Sequence, residues 1–382
     1  MVDTGDLKIG IICYPTFGGS GAVAVDLAAA LANRGHEVHV ISYASPFRME
    51  SSGKLLFHEV AVPEYPLFKY PPYAMALASK LAEVATNHGL QILHAHYAIP
   101  HSMAAHLARE ITGNGTGLVT TLHGTDITLV GSDPSYRPST AFTLRRSDAI
   151  TAVSAYLRDE TRRTICDACD IDVIPNFVDP VRYAPSGHIP LRENYAKPQE
   201  PLLLHMSNFR PVKRVLDVIR IFHRVYQDHP ACLTMIGDGP ERPAAERLTR
   251  DLELHHRVTF TGAMPDAAKL LSQADAFLLP SDGESFGLAA LESLSCGVPV
   301  VGARAGGLPE VVTDGEVGIL EEVGDVEKMG SRLSELLGDP EALSRMGRAG
   351  RRRVEETFRT DRVVPDYEAL YRRVLENPNP QQ

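Results

Sequence analysis

The sequence predicts an α/β protein built from two Rossmann-like domains facing each other across a cleft, and three observations carry that expectation. Short apolar runs alternate with helical patterns in two separate series along the 382 residues. In each series the runs end in turns rich in glycine, proline and polar residues, which places polar groups at one end of a parallel sheet. Between the series, from Asp179 to Pro201, the chain is irregular, proline-rich and without period, as a linker is. The expected boundaries are therefore 1–178, a linker 179–200, and 201–362.

Composition narrows the class. Apolar residues make up 44% and charged residues 23%, the balance of a globular protein with ample core. A net charge of −10 argues against nucleic acid, whose phosphate backbone is held by surplus Lys and Arg. With no signal peptide and no 18-residue apolar run, the expected location is the cytoplasm, away from any membrane. Of five cysteines, Cys13, Cys232 and Cys296 sit in apolar runs and read as small core residues. Cys166 and Cys169 form a lone C-x-x-C without a second pair or a suitably spaced His pair. They too read as ordinary residues rather than a zinc site or a redox couple.

The first series opens with a strand from Leu7 to Cys13, then Tyr14-Pro-Thr-Phe-Gly-Gly-Ser-Gly21 and a helix from Ala22 to Asn33. Glycines 18, 19 and 21 let backbone approach a phosphate or sugar closely. The loop is not G-x-G-x-x-G, and the second strand, Val38 to Ser42, ends in Ile41-Ser42-Tyr43 without an acidic residue. A nicotinamide dinucleotide is disfavoured on that ground, and the absence of a Walker A string excludes a P-loop. A strand from Lys54 to Val62 leads to the loop Pro63 to Tyr73, with Phe-Lys-Tyr-Pro-Pro-Tyr at its centre, and a helix from Ala74 to His88. Further strands run over Gln91–His94, Gly117–Leu122, Ala149–Val153 and Ile171–Ile174, with a helix from Ser102 to Ile111. His94, His96 and His101 resemble a metal cluster, but zinc needs three or four converging ligands, and no metal is expected.

The second series has strands at Leu202–Met206, Ala231–Ile236, Val258–Thr261, Ala276–Leu279, Val298–Gly302 and Gly318–Leu320. Helices are expected from Val215 to Asp228, up to Leu252, and from Ala267 to Ser272. The stretch from Leu278 to Val312 concentrates the chemistry. A buried strand breaks at Pro280 into a polar turn and then a helix, whose first turn carries Phe286, Gly287 and Leu288. A helix N-terminus at a strand's carboxyl end presents unpaired N–H groups and a positive dipole, a seat for phosphate. Glu284 before that helix and Glu292 two turns inside it suit the hydroxyls of a nucleotide-sugar. The plain alternative is a capping and an exposed helix residue.

Glu284-x7-Glu292, with Gly297-Val-Pro299 and Gly306-Gly-Leu-Pro-Glu310, resembles the retaining GT-B glycosyltransferases of family 4 over nearly the whole chain. Four strings of the first domain, Cys13 to Gly21, Phe68 to Tyr73, His94 to His101 and Thr120 to Asp126, resemble one subgroup of that family. Its members pass N-acetylglucosamine from UDP-N-acetylglucosamine to L-malate at the opening of bacillithiol biosynthesis. The resemblance implies an acceptor domain first and a donor domain second, with a last helix, 364–376, crossing back to complete the first. It implies that Glu292 takes the ribose hydroxyls and Glu284 those of the transferred sugar. The amides of Phe286, Gly287 and Leu288 and the loop of Gly18, Gly19, Ser20 and Gly21 would approach the diphosphate. Lys213 fits the family's lysine; Asn208 stands where its arginine does, with Arg210 two residues on as substitute. Met264 would line the uracil, and His123 would meet the sugar near its 6-hydroxyl.

In such a transfer, positive charge grows on the anomeric carbon and negative charge on the departing diphosphate, which cations and helix N-termini stabilise in a site closed to water. Two carboxylates on L-malate call for donors on the first domain: Lys69, Tyr97 and Thr121 are the candidates. Their plain readings are a solvated loop lysine, a packed strand-end ring and a strand residue. No cofactor or metal is expected, and self-association is left open. Two rival readings stand: a related transferase using another acceptor, such as an inositol phosphate or a membrane phosphoinositide, with Arg137, Arg145 and Arg146 near enough in sequence to serve a phosphorylated one, and a non-catalytic nucleotide-sugar binder.

Overall fold

The computed structural model describes residues 5–16, 19–46, 49, 53–64, 66–113, 115–187, 189–264 and 266–377. The chain divides into two compact units, Met1–Asn176 with Val363–Gln382, and Phe177–Arg362.

The first unit runs β1 (Lys8–Ile12), α1 (Gly19–Asn33), β2 (Glu37–Ser42), β3 (Leu55–Glu59), α2 (Tyr73–His88), β4 (Ile92–His96), α3 (Met103–Thr112), β5 (Gly117–Leu122), α4 (Arg137–Arg146), β6 (Ala149–Ala152), α5 (Ala155–Thr164) and β7 (Asp172–Val173). Its seven strands lie in the order β3-β2-β1-β4-β5-β6-β7, and each pairing is parallel. Strands covered on both faces read as near-continuous apolar runs, yet β4 and β5, buried at every position, also carry histidines and threonines. Leu77, Leu81, Val84 and Ala85 of α2 pack with Ala104, Ala105 and Ala108 of α3 over Ile12, Leu93 and Leu118.

The second unit runs β8 (Leu202–Met206), α6 (Val215–Tyr226), β9 (Cys232–Ile236), α7 (Arg242–Asp251), β10 (Val258–Gly262), α8 (Ala267–Leu271), β11 (Ala276–Leu279), α9 (Leu288–Ser295), β12 (Val300–Ala303), α10 (Leu308–Val311), β13 (Gly318–Glu321), α11 (Val326–Leu337) and α12 (Pro340–Arg353). Its sheet order is β10-β9-β8-β11-β12-β13. One stripe of α6 (Val218, Ile219, Phe222, Val225) joins Leu203, Leu278 and Leu333 in the core.

The last helix, α13 (Thr360–Glu376), buries Val364, Tyr367, Leu370, Tyr371 and Val374, and its residues from Val363 on belong to the first unit. Tyr371 OH lies 2.7 Å from His94 Nδ1. Glu368 accepts from Arg34 at 2.6 and 2.9 Å and lies 3.0 Å from His36 Nε2. Gly117 lets the helix approach, since a Cβ there would stand 2.6 Å from Val374 Cγ1.

Three expectations change. The segment 179–200 is an integral part of the second unit: it contains a 3-10 turn at Pro190–Asn194, Arg192 pairs with Asp275 at 2.8 Å, and Arg351 donates to Tyr183 O at 2.8 Å. Cys166 and Cys169 are joined in a disulfide. The turn that ends α5, closed by Cys169 N–H donating to Cys166 O at 3.3 Å, brings positions three apart together, which spacing in a linear pattern does not show. Phe286 and Gly287 precede α9, and Glu292 is its fifth residue, one turn inside rather than two. Among the described residues no helix is long and apolar enough to cross a membrane.

Candidate active site

Open α/β sheets bind ligands at the carboxyl ends of strands where the strand order reverses direction. In the second unit that point lies between β8 and β11, so the loops after Met206 and Leu279 border the expected crevice. They are tied together: Asp282 N–H donates to Val212 O at 2.9 Å, and Lys213 Nζ donates to Glu284 Oε1 at 2.6 Å. Both side chains are mostly buried, with 21% and 12% of their surface exposed, so the pair is a positioned one rather than a mobile surface contact. Lys213 closes a 3-10 turn, and the left-handed Arg214 (φ 47°) then turns the chain into α6. Arg214 is held by Asp217 and Asp282 at 2.6 and 2.9 Å, which leaves Lys213 as the cation facing Glu284.

Backbone packing fixes the carboxylate's position. Gly306 (φ +62°) forms a bridge with Glu284, and a Cβ on it would lie 2.2 Å from Glu284 O. The next residue, Gly307, donates its N–H to the same oxygen at 2.6 Å. The loop after β9 braces the Lys213 loop in the same way: Cβ atoms on Gly237 and Gly239 would lie 1.8 Å from Ser207 O and 2.0 Å from Asn208 O. Beneath it, His205 is buried, with Nδ1 2.8 Å from Leu278 O and Nε2 2.8 Å from Ser207 Oγ. Only the tautomer with hydrogen on Nδ1 satisfies both, and burial pushes this imidazole down to about 4, so it is a neutral strut.

Gly287 (φ +98°) precedes α9, no side chain caps it, and buried Phe286 packs edge-on against Phe358 at 5.7 Å. Glu292 is buried. Asn208 and Arg210 are exposed, and Met264 is half-buried two residues beyond β10.

In the first unit the strand order reverses between β1 and β4. Gly19, Ser20 and Gly21 open α1 instead of preceding it, and Ser20 Oγ, 2.8 Å from Tyr97 OH, joins that first turn to the turn after β4. Gly21 permits this, because a Cβ there would meet Tyr14 O and Thr16 O at 2.8 Å. Tyr97 adopts φ 88°, a conformation that tends to mark functional positions. Tyr14 packs on Tyr97 and His101 with ring centres 5.4 and 4.3 Å apart, and burial pushes its phenol up to about 12. His123 Nε2 lies 2.8 Å from His96 Nδ1, and burial holds His123 down to about 3.

Asp126 organises these turns and escaped the sequence reading, although it ends a quoted string. Its carboxylate accepts from Gly124 N–H at 2.9 Å and from Ala98 and His123 N–H at 3.2 Å. Burial pushes it up to about 6, against the pull of those amides.

The predicted residues thus fall into separate groups. Lys213 and Glu284 touch, Ser20 and Tyr97 touch, and the His123 ring lies tilted beside Tyr97, 5.3 Å between centres. Thr121 does not offer its side chain: it is buried with Oγ1 2.6 Å from both His94 Nε2 and Thr151 Oγ1, while its carbonyl accepts from Tyr97 N–H at 3.0 Å. Lys69 is exposed with Nζ 5.5 Å over the Tyr70 ring. Gly19 is exposed, and Gly18 lies outside the described residues. Of the histidines considered as a cluster, His94 bonds Thr121 and Tyr371, His96 Nδ1 lies against His123, and His101 Nδ1 lies 2.6 Å from the His96 carbonyl.

Comparison with known proteins follows the same division. Residues 17–182 match the model of Glycosyltransferase Family 4, and residues 190–353 that of Glycosyl transferases group 1. The chain is 45% identical to the N-acetyl-alpha-D-glucosaminyl L-malate synthase of Bacillus anthracis over 97% of each protein. The fold matches a sucrose-phosphate synthase from Thermosynechococcus elongatus with a TM-score of 0.82, 21% identity and coverage of 97% and 99% of the two chains. It matches Anabaena HepE in complex with UDP and glucose with a TM-score of 0.77, 19% identity and coverage of 95% and 99%. The chain is a glycosyltransferase of the GT-B architecture and belongs to family 4, in the group that includes the Bacillus anthracis enzyme.

Proposed function

We propose that this enzyme transfers N-acetylglucosamine from UDP-N-acetylglucosamine to the hydroxyl of L-malate with retention of configuration, in the cytoplasm and without a divalent metal. The observation that carries the product is the 45% identity, over 97% of both chains, to an N-acetyl-alpha-D-glucosaminyl L-malate synthase.

The site chemistry supports a transfer of this kind. Lys213, with Arg210 beside it, supplies positive charge for the diphosphate, and the N-terminus of α9 adds its amides. Glu284 accepts from the sugar's hydroxyls. Bonded to Lys213 at 2.6 Å, it is a poor nucleophile, which favours attack on the face the diphosphate leaves. The bond from the anomeric carbon to the β-phosphate oxygen breaks, the bond to the malate oxygen forms, and the malate hydroxyl proton passes to that phosphate. Glu292 takes the ribose hydroxyls, and Gly18 to Gly21, Asn208 and Met264 complete the donor contacts. On the acceptor side, Lys69 and the Tyr97 hydroxyl meet malate's carboxylates, and His123, held by His96, meets the sugar. Thr121 contributes by fixing the backbone of Tyr97.

Proton NMR of the product formed from UDP-N-acetylglucosamine and L-malate tests the proposal. An α-anomeric doublet on a malate ether is expected. A β-linked product removes the same-face mechanism, and no product removes the assignment of substrates.

A further inference from the structure

Three imidazoles of the first unit meet outside the loops described above, on the sheet face near its β3 edge. His39 pairs in register with Leu56, so His58, two residues on, projects from the same face. His39 Nδ1 lies 2.8 Å from His58 Nε2. His88, at the end of α2, brings its ring within 4.4 Å of His39 and 5.3 Å of His58, centre to centre. One ring nitrogen from each histidine lies within 4.8 Å of the others.

The hydrogen bonds fix which atoms are available. Glu37 Oε1 lies 3.0 Å from His39 Nε2 and, as a carboxylate, can only accept. Hydrogen therefore sits on Nε2, and His39 Nδ1 keeps a bare lone pair aimed at His58. Carboxylate support of the far nitrogen is the arrangement that orients metal-binding histidines and raises their basicity. The proton on the His58 side of the 2.8 Å contact occupies the place a cation can take.

We infer that His39, His58 and His88 form a binding site for a single divalent transition ion of the zinc class, with Glu37 orienting His39 from behind. Three imidazoles suit zinc, cobalt, nickel and copper, and not magnesium or calcium. Zinc–nitrogen bonds of about 2.0–2.1 Å place the ligand nitrogens about 3.3 Å apart on a tetrahedron. The present separations, 2.8 Å at one end and at most 4.8 Å at the other, bracket that value. His39 is buried, while His58 and His88 are half-buried, so two ligands can turn as the ion enters. The charges facing the cluster balance: Lys80 pairs with Glu83 at 2.9 Å, and Lys8 stands 3.7 Å from Glu37. The bound ion would join β2, the edge strand β3 and the end of α2, bracing the first unit without taking part in sugar transfer.

Untagged full-length protein, stripped with a chelator, is titrated with Zn²⁺ in competition with a chromophoric chelator and separately with Co²⁺. One equivalent should bind, and Co²⁺ should give the visible bands of a tetrahedral nitrogen site. His58→Gln and His88→Gln should each weaken Zn²⁺ binding at least tenfold and abolish those bands, with transfer activity and circular dichroism unchanged. His106→Gln, on α3, should bind as the parent does. Failure to bind one equivalent, or binding that survives both substitutions, overturns the inference.

Discussion

Gly306→Ala should cripple transfer through Glu284 without touching any substrate. The new Cβ would stand 2.2 Å from Glu284 O and 2.9 Å from Glu284 N at φ +62°. Both neighbours are backbone, so no side-chain rotation relieves the contact. A left-handed non-glycine residue costs roughly 1–2 kcal/mol. Losing the hydrogen bond from Gly307 N–H to Glu284 O, 2.6 Å in the parent, adds about 1 kcal/mol. Glu284 must then shift by about 1 Å, and a misplacement of that size costs on the order of 10²-fold in rate. Gly315→Ala is the control, because φ is +78° there and nothing lies within 4 Å of the added Cβ. It bears the backbone cost alone. Thermal unfolding and kcat for UDP release, measured on both variants, separate the terms. Both should lose some stability, and only Gly306→Ala should lose roughly a hundredfold in kcat. Equal kcat in the two would refute the idea that this loop positions the carboxylate.

Further substitutions probe other parts of the account. Glu284→Gln should lower kcat far more than it weakens UDP binding by calorimetry, and Glu292→Ala should mainly weaken UDP binding; the opposite pattern would exchange their roles. Glu368→Ala removes the partner of Arg34 and of buried His36, which should cost about 2–3 kcal/mol and speed hydrogen exchange along residues 363–377. Unchanged exchange there would show that apolar contacts alone dock α13. Stability should also fall on acidification. Burial holds His94 and His123 down to about 3, and His101 and His205 down to about 4. An unfolded histidine takes its proton near 6.5, so below that pH the unfolded chain binds protons that the folded chain refuses. The loss is at most about 1.4 kcal/mol per pH unit for each histidine until its folded value is reached. Buried His96 is held down as well, and Asp126, raised to about 6, opposes the histidines between its unfolded value near 4 and pH 6, as one group against several. Urea midpoints at pH 7.5 and 5.0 should differ accordingly, and equal midpoints would contradict neutral buried imidazoles.

The parallel sheets were legible because strands covered on both faces are apolar runs followed by polar turns. Strands such as Gly117–Leu122 and Leu202–Met206 stand where the pattern put them. The helices α4 and α5 were not: Arg-Pro-Ser-Thr-Ala-Phe-Thr-Leu-Arg-Arg and Ala-Tyr-Leu-Arg-Asp-Glu-Thr-Arg-Arg-Thr are polar, with an apolar face too narrow to announce a period. Single residues of the site were legible by type and place, Lys213 and Glu284 among them, but their direct bond joins positions 71 apart and follows from strand order. The bracing by Gly237, Gly239 and Gly306 is invisible in the chain's local pattern, because its necessity lies in a neighbouring loop's carbonyl. Thr121 misled for a related reason. A threonine next to a strand's end looks available until His94 and Thr151 are seen to enclose it.

UDP release from UDP-N-acetylglucosamine, measured with L-malate, with an inositol phosphate and with no acceptor, tests the proposed pairing of donor and acceptor. Release should saturate with L-malate and stay at background in the other two. Release that ignores L-malate, or that an inositol phosphate stimulates equally, would contradict it.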